Sequence, residues 1–418
     1  MRTKHFLPPL LLGLMLILSA GAFAEIKKDV VNGIYYNFDT TAMTAEVTSA
    51  NDSPTSTSGS GYTFTEVVIP GEITYPSGSE NKYRVTAIGE KAFSGCKSLV
   101  SVTIPDGVTT IGEEAFASCR GLTDVIIGDG VSDIGIFAFE QCNSLKRVTI
   151  GRNVASLDNG AFDHCLNIEE IICRAATPPT FGYPPFRSYT STVYVPSASL
   201  SAYQSSSSWS QFTTITDKVS ITLNESDGTF YATYCTTADL DFTGVEGVKA
   251  YIATKDKLNS DDEGTYVELQ PVAKVPAGTG ILLIGEGGTC DVPFVLTDDP
   301  IEDNLLVGTL TATALTQTTV KDGVSYTNYV LGSKNGVVGF YKTQEGTIAA
   351  HKAYLQLPKD DVNGVRLVIG NGFETGIEAT ARQEDATQDG AVYNLRGQRV
   401  ETPQRGLYIV NGKKVVLK

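Results

Sequence analysis

The chain has 418 residues, which is enough for two or three domains with real hydrophobic cores. Its 32 Lys and Arg against 47 Asp and Glu give a net charge of −15, which disfavours nucleic acid and anionic membranes as partners. An acidic surface also keeps an exported protein soluble, and that plain explanation is sufficient for the charge.

Residues 1–24 have the pattern of a secretory signal peptide. A basic start at Arg2 and Lys4 precedes the apolar run Leu7–Leu18, and Ala22-Phe23-Ala24 forms a cleavage site of small residues. The apolar run is too short to span a bilayer comfortably. We therefore predict an exported chain that begins at Glu25 after cleavage and has no transmembrane segment.

Residues 25–61 precede the most regular part of the chain. They contain a possible strand, Gly33–Phe38, and a run rich in Ser, Thr and Gly, Ser49–Gly61. We interpret this segment as an N-terminal cap followed by a flexible polar loop.

Residues 62–216 are organised by a 23-residue repeat, which is most regular between residues 85 and 173. The positions that recur at this step are Phe93, Phe116, Phe139 and Phe162, and Cys96, Cys119, Cys142 and Cys165. A fixed period of this length is typical of a solenoid. Alternating residues such as Val102 and Ile104 predict a short strand in each repeat, with its apolar side facing a core that neighbouring repeats share.

A turn follows each predicted strand and carries Gly107, Gly130 or Asn153 at its third position. Gly and Asn tolerate positive φ better than other residues. The sequence therefore predicts a left-handed residue at this position of the turn.

The repeat resembles the BspA-like, or treponemal-type, leucine-rich repeat of surface proteins from Bacteroidetes. The resemblance covers residues 62–216, and the first copy departs from it through a longer insertion around Pro70–Ser79. It implies a cell-surface or extracellular protein associated with the outer membrane. The implied function is adhesion or partner binding without catalysis.

The repeat degenerates after Cys173, and the strand pattern returns at Val193 and Val195. We expect Ser197 to cap a short helix there. The apolar residues that follow would cover the last repeat, as the end of a solenoid requires. They are Leu200, Tyr203, Trp209 and Phe212.

Export would allow disulfides among the seven Cys, but the repeat spacing argues against them. The four Cys of the repeat and Cys173, which replaces an Ile of the other copies, are predicted to be buried thiols. A step of 23 residues also gathers no cluster of zinc ligands. Cys235 and Cys290 remain, and whether they pair stays open.

Residues 217–372 contain short strand-like runs without a convincing amphipathic helix, so we predict an all-β sandwich or barrel. Asn335-Gly336 between two of the runs is typical of a hairpin turn. The predicted strands are Val219–Leu223, Phe230–Tyr234, Val248–Ala253, Tyr266–Val272, Gly280–Ile284, Val292–Leu296, Leu305–Leu310, Tyr326–Leu331, Val337–Tyr341, Ala353–Leu357 and Val365–Ile369. The fold class is therefore mainly β, a leucine-rich repeat solenoid followed by a sandwich-like domain.

Residues 373–388 are interpreted as a linker, and residues 389–418 as a short β tail. The tail resembles the C-terminal sorting signals of type IX secretion cargo in Asn394-Leu395-x-Gly397-Gln398-x-Val400 and in Gly406-x-Tyr408. Its predicted strands are Val392–Leu395, Leu407–Val410 and Lys414–Leu417. The alternative is an extra hairpin of the preceding domain.

The sequence offers little for catalysis. Only His164 and His351 follow the signal peptide, and His164 is expected at a surface turn. The acidic clusters Asp261–Glu263 and Asp298-Asp299 lack the spacing of a calcium loop and are interpreted as solvated loops. We predict that the protein is not an enzyme and has no catalytic residue, cofactor or metal ligand.

The strand positions that alternate with the core are free to vary, and together they form one sheet face. That face mixes both charge signs with Ser, Thr and two Ile, which suits a protein partner. Its residues are Ser101, Thr103, Asp124, Ile126, Arg147, Thr149, Glu170 and Ile172. We predict adhesion, with a host protein, a matrix protein or another surface protein as partner, and polysaccharide is the alternative ligand. The alternative function is a carbohydrate-binding accessory or a hydrolase within residues 217–372.

Overall fold

The structure is a computed structural model. It describes residues 26–51 and 60–358, apart from positions 182, 227, 256–264, 335–336 and 344, and the strand residues at 365–369, 373–378, 392–393, 406–410 and 413–417. Several sequence features lie outside the described residues: the signal peptide, positions 52–59 of the polar loop, the acidic cluster Asp261–Glu263, the turn Asn335-Gly336, positions 379–388 of the linker and the tail motif at 394–400.

Three antiparallel strands open the fold: β1 (Ile26–Val31), β2 (Ile34–Asp39) and β3 (Thr44–Thr48). Alternate residues of β2 face inward, and Tyr36 and Phe38 are fully buried. β3 pairs in parallel with the first long solenoid strand, Lys82–Ile88. The three strands therefore cover the N-terminal end of the solenoid core with their own apolar side.

Twelve strands form the solenoid: β4 (Glu66–Val68), β5 (Glu72–Thr74), β6 (Lys82–Ile88), β7 (Ser101–Ile104), β8 (Thr110–Ile111), β9 (Asp124–Ile127), β10 (Asp133–Ile134), β11 (Arg147–Ile150), β12 (Ser156–Leu157), β13 (Glu170–Cys173), β14 (Thr192–Tyr194) and β15 (Thr214–Thr216). A seven-stranded parallel sheet runs in the order β15-β14-β13-β11-β9-β7-β4. The longer strand β6 and the two-residue strands β8, β10 and β12 continue the sheet of β1–β3 on the opposite side. Each regular repeat up to β12 thus adds one strand to each sheet.

The core between these sheets is built from stacked columns. The rings of Phe93, Phe116, Phe139 and Phe162 lie nearly parallel, with successive centroids 5.0, 5.0 and 5.1 Å apart. The Cys column lies beside them: the Sγ of Cys119, Cys142 and Cys165 donates to the carbonyls of Phe93, Phe116 and Phe139 at 3.2, 3.3 and 3.0 Å. The five repeat-related thiols are buried and free, as the sequence predicts, and Cys235 and Cys290 are free as well.

The prediction of a left-handed residue at the third turn position is wrong. Gly107, Gly130 and Asn153 do not have positive φ. Gly130 is needed for space instead, since a Cβ there would lie 1.8 Å from the carbonyl oxygen of Asp106 in the neighbouring turn. The left-handed residues recur at two other repeat positions, Lys91, Glu114, Phe137 and Gly160, and Gly95, Ser118, Gln141 and His164.

The C-terminal end of the solenoid is closed by a 3-10 turn (Ser197–Ser199), helix α1 (Leu200–Ser205) and a second 3-10 turn (Trp209–Gln211). Trp209 is fully buried, and its Nε1 donates to the carbonyl of Pro179 at 2.8 Å. The predicted cap is therefore present, but the predicted Ser197 cap is not, because its hydroxyl has no hydrogen-bond partner among the described residues.

The second domain contains strands β16 (Lys218–Thr222), β17 (Asn224–Ser226), β18 (Thr229–Tyr234), β19 (Asp239–Asp241), β20 (Val248–Lys255), β21 (Thr265–Val272), β22 (Lys274–Val275), β23 (Ile281–Gly285), β24 (Thr289–Val295), β25 (Leu306–Thr309), β26 (Thr313–Leu315), β27 (Thr318–Lys321), β28 (Val324–Lys334), β29 (Val337–Lys342), β30 (Gly346–Ile348), β31 (Lys352–Pro358), β32 (Val365–Ile369) and β33 (Phe373–Glu378). Each of the runs predicted as strands in this region forms a strand. β33 lies in the segment interpreted as a linker, and its pairing with β32 corrects that interpretation for its residues.

These strands stack as a sandwich with three layers. The middle sheet has the order β17-β18-β23-β20-β21-β32-β33, and its β23 sends Leu283 into one core and Leu282 into another. The first core is shared with the sheet β16-β24-β19-β22, and the second with the sheet β25-β31-β28-β27. A strand buried on both faces needs apolar residues at consecutive positions, which β23 has.

The tail forms a separate antiparallel sheet of β34 (Val392–Tyr393), β35 (Gly406–Val410) and β36 (Lys413–Leu417). Within the described parts of the chain, no helix is long and apolar enough to cross a bilayer.

Candidate functional site

The eight residues predicted as a binding face lie in two rows across neighbouring strands of the seven-stranded sheet. One row runs through Ser101, Asp124, Arg147 and Glu170, and the other through Thr103, Ile126, Thr149 and Ile172. The repeat brings them together because every strand has the same register relative to its neighbour. Whether this face binds a ligand stays a prediction.

The face is not open along its whole length, because the second domain packs against its C-terminal half. Ile172 is buried within the first core of the second domain, and Tyr194 of the next strand packs against that core. The hydroxyl of Thr149 lies 2.7 Å from that of Thr237 in the second domain. These positions are therefore covered within the protein itself.

A buried ionic cluster fixes the junction beside this face. Asp239 of the second domain is fully buried and accepts hydrogen bonds from Arg174 Nη1 at 2.9 Å and Arg152 Nη2 at 2.7 Å. Its carboxylate also accepts the backbone N–H groups of Ala277 and Thr297 at 2.7 and 3.1 Å. A buried carboxylate is tolerated only when its oxygens are paired in this way.

The two arginines are also held from the solenoid side by Asp129. Arg174 Nε and Nη2 lie 3.0 and 3.1 Å from its two carboxylate oxygens, and Arg152 Nε lies 3.1 Å away. Burial alone would raise the pKa of Asp129, but the hydrogen bonds and charge of Arg174, with those of Arg152, hold the pKa below its ordinary value. Asp129 is therefore charged at neutral pH.

A small cleft lies where the charged row meets the second domain, lined by Asp124, Arg147, Glu170 and His351 among others. It holds about 20 Å³, which is room for one water and too little for a ligand. Burial raises the pKa of Glu170 and lowers that of His351, whose Nε2 is buried without a partner in the described structure. The cleft is part of the junction and is not a binding pocket.

In the N-terminal half of the face, Thr103 and Ile126 remain half-buried at the surface, whereas Ser101 and Asp124 are buried. Val68 on the edge strand β4 is 74% exposed and lies opposite Thr103, which in turn lies opposite Ile126. Glu66 occupies the same place in the charged row, opposite Ser101. The sequence prediction omitted Glu66 and Val68, although the inward pair Val67 and Ile69 of the first repeat already placed them on this face.

A group of three possible metal ligands, Glu140, Asp163 and His164, has one ligand atom from each within 4.8 Å of the others. Arg187 donates to both carboxylate oxygens of Asp163 and occupies them. His164 is exposed at a left-handed turn position, as expected from the sequence. Because the guanidinium of Arg187 pairs with the carboxylate of Asp163, we interpret the group as an ion pair.

Comparison with known proteins gives the repeat a family. Residues 64–188 match the family model for the BspA type leucine rich repeat region, in six copies. A leucine-rich repeat protein from Bacteroides capillosus is 30% identical over 35% of this chain and 97% of its own, with a TM-score of 0.29. The chain belongs to the BspA-type leucine-rich repeat family.

In other solved structures the match covers a smaller share of their own length. A leucine-rich repeat protein from Bacteroides ovatus is 30% identical over 41% of this BspA-type chain and 38% of its own, with a TM-score of 0.29. A leucine rich cell surface protein from Faecalibacterium prausnitzii is 20% identical over 50% and 58%, with a TM-score of 0.28. No curated protein matches the chain. Proteins of this family commonly take part in protein interactions, and their repeats are a scaffold without catalytic function.

Proposed function

We propose that this BspA-type protein is exported to the cell surface and binds a protein partner, in adhesion or in contact with host or matrix proteins. The partner would bind the part of the solenoid face that the second domain leaves accessible. One observation carries the proposal: Val68, Thr103 and Ile126 form a continuous row that is still exposed or half-buried on a flat parallel sheet.

The chemistry of this surface favours a protein over a polyanion or a membrane. An exposed apolar residue next to charged groups is typical of a protein interface, and Val68 shares strand β4 with the exposed Glu66. Arg147 is half-buried on the same sheet face, and its ion pair with the buried Asp124 holds its side chain in one position. A surface of fixed groups loses little conformational entropy on binding.

Outer-membrane association, signal cleavage and sorting by the tail are further parts of this proposal. They rest on the sequence pattern of residues 1–24 and 389–418. The name of the F. prausnitzii relative as a cell surface protein supports surface display.

The test uses the mature full-length protein on a biosensor against a panel of purified matrix proteins and polysaccharides. We expect saturable binding to a protein that Val68→Asp and Ile126→Ser weaken at least tenfold without lowering the melting temperature. Val320→Asp is the matched control, because Val320 is 71% exposed in the second domain. Binding that survives both solenoid substitutions would refute the proposed surface, and binding confined to polysaccharides would refute a protein partner.

The alternative function requires a pocket with polar groups in residues 217–372. The second domain does contain a cavity, but no aromatic side chain among the described residues lines it as a platform for sugar rings. Of the described residues that line the cavity, Glu345 alone is a carboxylate, whereas glycoside hydrolysis uses a pair. Its lining points to another class of ligand.

A further inference from the structure

A cavity of about 460 Å³ lies within the second domain. Its walls come from β18 of the middle sheet and from β28 and β31 of the outer sheet, and the small pair β26–β30 closes one side. Small-molecule sites usually have about 300–1,000 Å³, so the volume is sufficient for a ligand. The cavity continues the core between the two sheets, since Ala353 and Leu331 belong to both.

The inner part of the cavity combines apolar side chains with threonine hydroxyls. Leu315 and Ala353 are buried, and Leu331 packs against the core behind them. Thr233 and Thr343 are 6% and 8% exposed, and both line the cavity. A hydroxyl both donates and accepts hydrogen bonds, so these side chains suit a ligand with polar backbone groups.

Two opposite charges lie at the rim. Glu345 is exposed and Lys352 is half-buried, and both line the cavity. Neither forms an ion pair with the other or with any other group in the described parts of the chain. The cavity therefore offers one site for an anion and one for a cation, beside the aliphatic side chains of Leu315, Leu331 and Ala353.

We propose that this cavity binds a short peptide of aliphatic residues. The terminal carboxylate would pair with Lys352 and the terminal ammonium with Glu345, and a side chain would contact Leu315, Leu331 and Ala353. A peptide N–H or C=O would bond the hydroxyl of Thr233. A fatty acid would leave Glu345 beside its own negative charge, and an uncharged sugar would use neither rim residue.

This proposal does not depend on the proposed function, since the cavity and the accessible solenoid face share no residue. Val68→Asp should leave peptide binding unchanged, so that the two proposals fail separately.

Titration calorimetry of the mature full-length protein with Leu-Leu and Leu-Leu-Leu tests the proposal. We expect saturable binding that weakens roughly tenfold when the peptide is N-acetylated or C-amidated, since each change removes one charge-assisted hydrogen bond. Lys352→Gln should weaken binding of the free peptide roughly tenfold but leave binding of the amidated peptide unchanged. Glu345→Gln should weaken binding of the free peptide roughly tenfold but leave binding of the N-acetylated peptide unchanged.

Lys274→Gln and Glu246→Gln are matched controls, because both side chains are exposed in the same domain and do not line the cavity. The comparison of free peptides with N-acetylated or C-amidated peptides uses the protein without substitutions. It therefore still tests the proposal if a variant fails to fold. The proposal is overturned if no peptide binds at millimolar concentration. It is also overturned if blocking both ends has no effect, or if laurate or a maltooligosaccharide binds in place of the peptides.

Discussion

Arg174 of the solenoid donates a 2.9 Å hydrogen bond to Asp239 of the second domain, and the accepting carboxylate is fully buried. Arg152, one repeat earlier, donates to the other oxygen of the same carboxylate. The solenoid period thus places two guanidinium groups around one acidic residue of another domain. This junction decides which part of the sheet face stays accessible.

Asp239→Asn should destabilise the junction strongly. Removing one partner of a buried ion pair leaves a buried charge uncompensated and typically costs about 3–5 kcal/mol. Urea unfolding should show an earlier transition, and hydrogen exchange should rise in β13. Asp298→Asn is the control, since Asp298 also bonds Arg152 but is 90% exposed. Equal stability of both variants would mean that the junction does not depend on Asp239.

Phe116→Ala or Phe139→Ala should unfold the solenoid cooperatively. Both rings are fully buried and stack on neighbours on both sides, and loss of a buried Phe costs about 3–5 kcal/mol. Chemical denaturation measures the loss, with Leu166→Ala as control because Leu166 is 60% exposed in the same solenoid. An unchanged unfolding midpoint in both Phe variants would contradict a core role for the column.

Thiol titration should count seven free thiols in denaturant and at most one, Cys290, in the native protein. Six of the thiols are buried, and Cys290 is half-buried. Burial raises the pKa of Cys173 to about 11 and that of Cys235 to about 12, so neither is a thiolate at neutral pH. A count below five in denaturant would show disulfides within the repeat and contradict the thiol column.

Stability should fall as the pH is lowered through about 6.5, because of His351. Burial lowers its pKa below 6.5, and Arg147 and Lys352 add to this effect, while the carbonyl of Cys235 and the charge of Asp124 oppose it. The unfolded chain then binds the proton first, so acidification favours unfolding until the folded pKa is passed.

Glu170 has the opposite effect on the pH dependence of stability. Burial raises the pKa of Glu170, so the folded state binds this proton before the unfolded chain does as the pH falls towards 4.5, and acidification there favours folding. Urea midpoints at about pH 7.5, 6.5 and 5.5 measure the sum. His351→Gln should flatten the decline, whereas His164→Gln, at an exposed turn, should not. An identical decline in the two variants would exclude His351 as its source.

Deletion of residues 389–418 should reduce display on the cell surface more than folding. The tail resembles a sorting signal, and its three strands pair with one another in a sheet of their own. Surface labelling of the native host, with melting of the purified truncated protein as control, measures both effects. Equal display of the truncated and full-length proteins would reject a sorting role.

Much of the fold could be predicted from local patterns. The 23-residue period placed the Phe and Cys columns in the core, and runs such as Gly280–Ile284 identified the longer strands of the second domain. The short polar strand β17 (Asn224–Ser226) was missed. Its residues have little strand propensity, and they form a strand because they pair with β18.

The sequence by itself determined the solenoid, its inward columns and the alternate row of outward residues. Equivalent positions of successive repeats have the same local environment, so each environment appears in the sequence as a recurring residue type. Only the tertiary structure decided that Thr149 and Ile172 of that outward row are covered, and that Arg152, Arg174 and Asp239 form the junction. The cavity beside Thr233 is also a tertiary feature. Contacts between distant segments produce no repeating pattern in the sequence. Each residue of such a contact, taken alone, has the same residue type as an ordinary surface residue.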